Sequence, residues 1–398
     1  MTVLTRPRPA EETGSARHGV AFWLIAAVFA VSLAFSTVPA PLYPLYQRQD
    51  GFSSFTVTIV FAVYAVGVVV SLLLAGHVSD WAGRRRLLLP ALGFEIVAAL
   101  LFLFWPALPG LIVARFLTGL GVGLITATAT AYLLELHTAH RPTAGRTRFE
   151  IVSAAANLGG LGAGTLVAGA LAQFAPAPLR TPYLVFLVLL LLGVAAVAVA
   201  PETVSAPAVR PPYRPQRIRV TGANLVPATA AFAAFAVFGL FTSLAPGFVA
   251  GSLHHPSRLL AGAVTFLVFA AGAAAQSVFR RSLGAGLLTL ATGLVTVAAA
   301  TQFTSLGLFL AGGAVAGAGS GVVFKSAVGA TAAMAAAHQR GETLAGLFLI
   351  AYLGLVGPVL GLGIATRSVP ATTAMLWFTG FLLALLAAIA VLDRFRRS

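Results

Sequence analysis

Twelve long apolar runs recur along this chain, separated by short polar loops, and they limit the fold more than any other feature. They lie at 19–40, 55–76, 87–105, 109–134, 151–174, 182–200, 224–250, 259–279, 283–302, 305–333, 343–366 and 371–392. A helix crosses the hydrocarbon core of a bilayer with about 20 mostly apolar residues, and each run is of that order. Lipid offers no partner to a backbone N–H or C=O, so each run must satisfy its own, as a helix does. Only 9% of the 398 residues are charged, against about 25% in a soluble domain. That is too few to solvate a soluble protein of this size. A cytosolic enzyme, a secreted domain and a disordered chain are excluded. Cysteine is absent, which removes disulfides, thiolate metal sites and thiol nucleophiles. Arg6, Arg8 and Arg17 precede the first run as in a signal peptide. The apolar stretch behind them is longer than the roughly 7–15 residues of a signal core, so it reads as a retained span.

Basic residues give the orientation. With the amino terminus in the cytoplasm, 19 arginines fall on the cytoplasmic side, including the clusters Arg84–Arg86, Arg141–Arg148 and Arg210–Arg219. Only 4 fall opposite: Arg48, Arg180, Arg258 and Arg367. Arg115 and Lys325 lie within spans. Such a bias puts both termini inside. It also accounts for the net charge of +15 without an anionic partner, so nucleic acid is not expected.

The longest polar interruption, Glu202–Gly222, holds Pro207, Pro211, Pro212 and Pro215 with four arginines. Such a segment is an extended linker. The expected organisation is a cytoplasmic tail 1–18, a six-helix bundle 19–200, a linker 201–222, a second six-helix bundle 223–392 and a tail 393–398. The two bundles resemble each other. Gly76-His-Val-Ser-Asp80-Trp-Ala-Gly83-Arg84-Arg85 recurs at an offset of 196 as Gly272-Ala-Ala-Ala-Gln276-Ser-Val-Phe279-Arg280-Arg281. Gly119-x-Gly121-x-Gly123 recurs at 198 as Gly317-x-Gly319-x-Gly321, and Phe35-Ser36-Thr37 at 206 as Phe241-Thr242-Ser243. Three matches in order, at nearly constant offset, point to a duplicated unit.

The loop Gly76–Arg85 fits the signature G-x-x-x-D-x-x-G-R-[R/K], with aliphatic Val78 at its third position. On that loop and the internal repeat, the chain resembles the major facilitator superfamily over essentially its whole length. Its pattern is most similar to bacterial drug and metabolite exporters. The resemblance implies an all-α membrane protein with twelve transmembrane helices in two pseudo-symmetric six-helix bundles. A central cavity would be exposed alternately to either side. It implies a secondary transporter, not an enzyme, with no cofactor and no metal. Its partners would be a small-molecule solute, protons as coupling ion and the lipid bilayer. It would work as a monomer in a bacterial cytoplasmic membrane, most simply as a proton-coupled exporter of small amphipathic compounds. Uptake by symport or facilitation is the alternative, and from another class a solute-binding receptor without flux.

The resemblance also implies roles for particular residues. Gly76, Asp80, Gly83, Arg84 and Arg85 would form a cytoplasmic latch. Asp80 is expected at the start of the eleventh span, where the positive end of a helix favours a carboxylate. Arg84 is expected to pair with Glu135 at the end of the fourth span. Gln276 stands where the second copy would carry Asp80, so the latch belongs to the first half. Arg115, followed by Gly119 and Gly121, resembles the fourth-helix motif whose arginine is associated with proton coupling. The alternative is a hydrogen-bond clamp. Glu95, inside the third span, is a proton carrier, a structural pairing partner or a residue close to the headgroups. Lys325 is either a cavity residue or an interface anchor. The first span lacks the carboxylate many exporters carry, and in the fifth span Thr165 replaces the proline of the antiporter Gly-Pro pair. Pro358 in the eleventh span is expected to kink it. In this family the first, fourth, seventh and tenth helices line the cavity. The candidates there are Phe35, Ser36, Thr37, Tyr132, Phe238, Phe241, Thr242 and Phe324, with Lys325. The set is apolar with hydroxyls, which suits neutral or weakly charged amphiphiles.

Overall fold

The computed structural model describes residues 9–76, 78–204, 213–279, 281–336 and 339–397. Arg6, Arg8, Arg210, Arg280, Pro207, Pro211 and Pro212 lie outside the described residues. Twelve spanning helices cover Pro9–Thr37, Ser54–Ala75, Arg84–Phe104, Leu108–His140, Thr147–Phe174 and Thr181–Val199, then Leu225–Ser243, Arg258–Val278, Leu283–Gln302, Leu306–Met334, Arg340–Ala365 and Ala371–Arg397. They are called the first to twelfth spans below. No strand occurs among the described residues.

Local chemistry sets several of the ends. Ser53, Ser257, Ser282 and Ser305 each accept a hydrogen bond from a backbone N–H of the first turn. This is how a serine cap satisfies one of the donors that a helix start leaves free. The seventh run, expected as one helix over 224–250, breaks at Leu244, and a short helix Ala245–Gly251 follows. Pro246 lies in the first turn of that short helix, where its missing N–H does no harm. The first span ends in the same way, in a short helix Tyr43–Asp50 with Pro44 in its first turn. The fifth span carries a π-turn at Ala155–Gly159, which the apolar pattern does not announce. The eleventh runs unbroken as a helix through Pro358.

The two halves share one neighbour pattern. The first span packs on the fourth, fifth and sixth, and the seventh on the tenth, eleventh and twelfth. Likewise the fourth takes the second and third, and the tenth takes the eighth and ninth. The repeated glycines make this possible. A Cβ on Gly119 would fall 2.1 Å from the Tyr64 carbonyl oxygen of the second span, and one on Gly121 would meet Glu95 and Ala91 of the third. In the second half, Gly317 stands against Val268 of the eighth span and Gly319 against Leu290 of the ninth. Without a hydrophobic drive between helices in lipid, such close backbone approach supplies the packing. The halves meet along two seams that the repeat interchanges, fifth on eighth and second on eleventh.

Candidate solute cavity

Between the halves lies a cavity of about 590 Å³. On the fourth span it reaches from Arg115 to Thr130, about 22 Å at 1.5 Å per residue. Its deep end is set by Ser36, Thr37 and Arg115. Its mouth is set by Thr147, Glu150, Gln276, Ser277 and Arg281, at the arginine-rich ends of the fifth and eighth spans. Beyond the deep end both seams are shut. Thr165 Oγ1 donates to the Gly262 carbonyl across the fifth–eighth seam at 3.0 Å. Arg258 Nη1 donates to the Ala172 carbonyl at 2.7 Å. On the other seam, a Cβ on Gly363 would fall 2.5 Å from Thr58 Oγ1. The spans therefore diverge from contacts at one membrane face to an opening at the other.

Helical periodicity decides which expected residues line this space. Ser36 and Thr37 do, with Leu33 one turn earlier; Phe238 and Thr242 do, with Phe235 before them; Phe324 and Lys325 do also. The expectation for Phe35, Phe241 and Tyr132 is corrected. Phe35 is buried behind the first span against Phe102 and Phe186. Phe241 packs on Phe309, and Tyr132 donates its hydroxyl to the Pro201 carbonyl. Successive residues lie about 100° apart around a helix, so Phe35 and Phe241 face away from their neighbours Ser36 and Thr242. The reading also missed Phe61, Tyr64, Phe269, Phe348 and Tyr352, which line the cavity from the second, eighth and eleventh spans. Those spans were not counted among the cavity helices, although an aromatic at each position was visible.

Lys325 belongs to both readings: it lines the cavity, and its Nζ donates to the carbonyls of Gln276 at 2.5 Å and Phe279 at 3.2 Å. These close the eighth span, whose negative end suits a cation. Arg115 and Glu95 are not joined by a hydrogen bond or an ion pair. Arg115 Nη1 donates to the Ser36 carbonyl at 2.6 Å, and its guanidinium lies 4.4 Å from the centre of the Tyr64 ring. Glu95, fully buried, accepts from Ser32 Oγ at 2.5 Å, and its other oxygen has no partner.

At the same face of the first half as the cavity mouth, Arg84 Nη2 meets Glu135 at 2.7 Å and Nη1 meets Asp80 at 2.7 Å. Asp80 is thus paired within its own loop. Among the described residues no hydrogen bond ties it to the eleventh span; a separate cavity of about 220 Å³, lined by Asp80, Gly76, Gly341, Leu344 and Ala345, lies between. The linker holds part of that gap, with Gln216 N–H donating to the Leu73 carbonyl at 2.7 Å. The opening of the second–eleventh seam on this side accounts for the separation. Arg85 donates to the Ala198 carbonyl at 2.5 Å, at the end of the sixth span. Glu202, read only as the start of the linker, accepts from the backbone N–H groups of Arg84 at 2.9 Å and Arg85 at 3.1 Å. It thereby caps the third span. Gly83, at φ 105°, makes room for it: a Cβ there would fall 2.8 Å from Glu202 Oε2.

Two pseudo-symmetric six-helix bundles around a cavity closed at one face and open at the other define a class, the membrane transporter of small solutes. The family follows from comparison. A model of the Major Facilitator Superfamily matches residues 24–281, most of the chain, and the protein belongs to that family. It is 31% identical over 148 residues to the uncharacterized MFS-type transporter Rv1250 of Mycobacterium tuberculosis, a stretch covering 37% of this chain and 26% of that protein. Its fold is similar to that of the human organic anion transporter MFSD10 (TETRAN), with a TM-score of 0.63 at 15% identity, covering 96% of this chain and 100% of that one.

Proposed function

We propose that this protein exports small amphipathic compounds by alternating access, in exchange for protons, across a bacterial cytoplasmic membrane with both termini inside. The observation that carries this reading is the cavity between the halves, rich in aromatic rings, with hydroxyls and few charges. Rocking about the two seams would close its mouth and part Thr165 from Gly262 and Thr58 from Gly363. The latch residues Arg84, Asp80 and Glu135 would hold the loop after the second span to the third and fourth spans as one body while the seam beside them closes. The protein would act as a monomer, because the cavity is complete within one chain.

Proton coupling is assigned to Glu95. It is a carboxyl inside a span with one oxygen unpartnered, held by Ser32 one turn from the carbonyl that binds Arg115. Its protonation would be felt by the first span, and through it by the deep end of the cavity. Ionisable groups in this position are costly to keep in a membrane and tend to be retained for use. The test is flux in proteoliposomes with an imposed pH gradient. Glu95→Gln should abolish gradient-driven accumulation and leave downhill exchange intact. Full gradient-driven transport by that variant would remove the carboxyl from the mechanism. Solute accumulation together with inward protons would replace antiport by symport.

A further inference from the structure

The deep end of the cavity holds a cation that the protein does not neutralise. Arg115 is 1% exposed yet lines the cavity. A guanidinium has five N–H donors. Here one hydrogen bond, to the Ser36 carbonyl, is joined by the faces of Tyr64 and Phe61 at 4.4 and 5.9 Å, and Nε is buried without a partner. Asp80 and Glu135 are taken by Arg84, and Glu95 is turned to Ser32. Clamping the carbonyl end of the first span explains the one bond. It does not explain the buried, unpartnered nitrogen or a charge placed at the cavity wall.

The remaining lining tilts the same way. Glu150, at the mouth, is the one carboxylate among the lining residues, while Lys325 and Arg281 add two cations on the path inward. Lys325 is held by neutral carbonyls, which leave its charge intact. Low-dielectric walls focus a field of this sign and raise the local concentration of its opposite. We propose that the solute is an amphipathic organic monoanion. Its carboxylate or sulfonate would meet Arg115, and its apolar body would lie along Phe61, Tyr64, Phe235 and Phe238. This corrects the expectation of a neutral or weakly charged solute, and it rests on reading the cavity as the solute's seat. A planar fork of donors suits such a head group better than a point charge does.

The test uses the purified full-length chain in zwitterionic nanodiscs, with two fluorescent probes that share a ring framework. 1-Anilinonaphthalene-8-sulfonate carries the anion and N-phenyl-1-naphthylamine lacks it. After subtraction of empty nanodiscs, the wild type should bind the sulfonate roughly tenfold tighter or more. Arg115→Gln should erase the preference, and Arg115→Lys should keep part of it. Equal binding of the two probes by the wild type, or an undiminished preference in Arg115→Gln, overturns the assignment. If Arg115→Gln does not fold, displacement of the sulfonate from the wild type decides. Octanoate should displace it and octylammonium should not; the reverse order overturns the proposal. Flux of the same probes in proteoliposomes separates the two readings. Unselective flux of both overturns the anion site and leaves transport standing, whereas selective binding without flux sustains the site and removes the transport reading.

Discussion

Gly262→Ala should shift the transporter away from the closed seam that the structure shows. A Cβ at this position would fall 2.2 Å from the Thr165 carbonyl oxygen and 3.3 Å from the Cα of Gly169, both backbone atoms of the fifth span. An ordinary carbon contact needs about 3.5 Å, so the fifth and eighth spans must part by ~1 Å. Overpacking of this kind costs about 1–3 kcal/mol. The loss falls only on the conformer in which the seam is shut, and it would favour the opposite conformer by roughly 5- to 150-fold. The absence of native cysteine gives a clean assay. A cysteine replacing Thr58 reports on the other seam, where the side chain is fully buried beneath Gly363. A cysteine replacing Thr130 reports on the cavity. With Gly262→Ala, an impermeant maleimide should label position 58 from outside about fivefold faster or more, and position 130 from inside more slowly. Unchanged labelling at position 58 in a folded protein would refute the coupled parting of the two seams. Faster labelling at both positions would mean general loosening, and would refute it equally.

Three further outcomes follow from the geometry. Asp80→Asn should change stability in detergent by under about 1 kcal/mol, because that side chain is 65% exposed. Glu135→Gln should cost about 1–3 kcal/mol, because it strips a charged acceptor from Arg84, whose side chain is 7% exposed. Equal losses in thermal unfolding would contradict this division. Gly119→Ala places a Cβ 2.1 Å from the Tyr64 carbonyl oxygen and should lower stability by about 1–3 kcal/mol, while alanine at Gly93, which meets nothing within 4 Å, should be neutral; a neutral Gly119→Ala would deny the close crossing. Tags at Thr2 and Ser398 should both resist impermeant labels in intact cells, and outside labelling of either would reverse the orientation.

The bilayer made the fold legible in the sequence. A solvent that pairs with no backbone group forces each apolar run to be a helix, so counting runs counted spans, and recurring glycines marked the duplication. The loop from Gly76 to Arg85 carried the family resemblance because its turn, its close approach and its charges are local. The partner of Arg84 was also within reach, since a carboxylate near the end of the fourth span could be found by depth alone. Facing was harder to read. Phe35 and Ser36 are neighbours in sequence, yet only Ser36 reaches the cavity, because a helix turns each residue about 100° from the last and an almost wholly apolar helix shows no polar stripe to fix its rotation. Neighbouring helices fix it instead, through contacts such as Gly119 on Tyr64. The carbonyl and aromatic surroundings of Arg115, the cap that Glu202 places on the third span and the cavity between Asp80 and the eleventh each depend on groups distant in the chain. Tertiary structure alone decided them, because charge balance and seam closure are set by where helices cross and not by the order in which they are written.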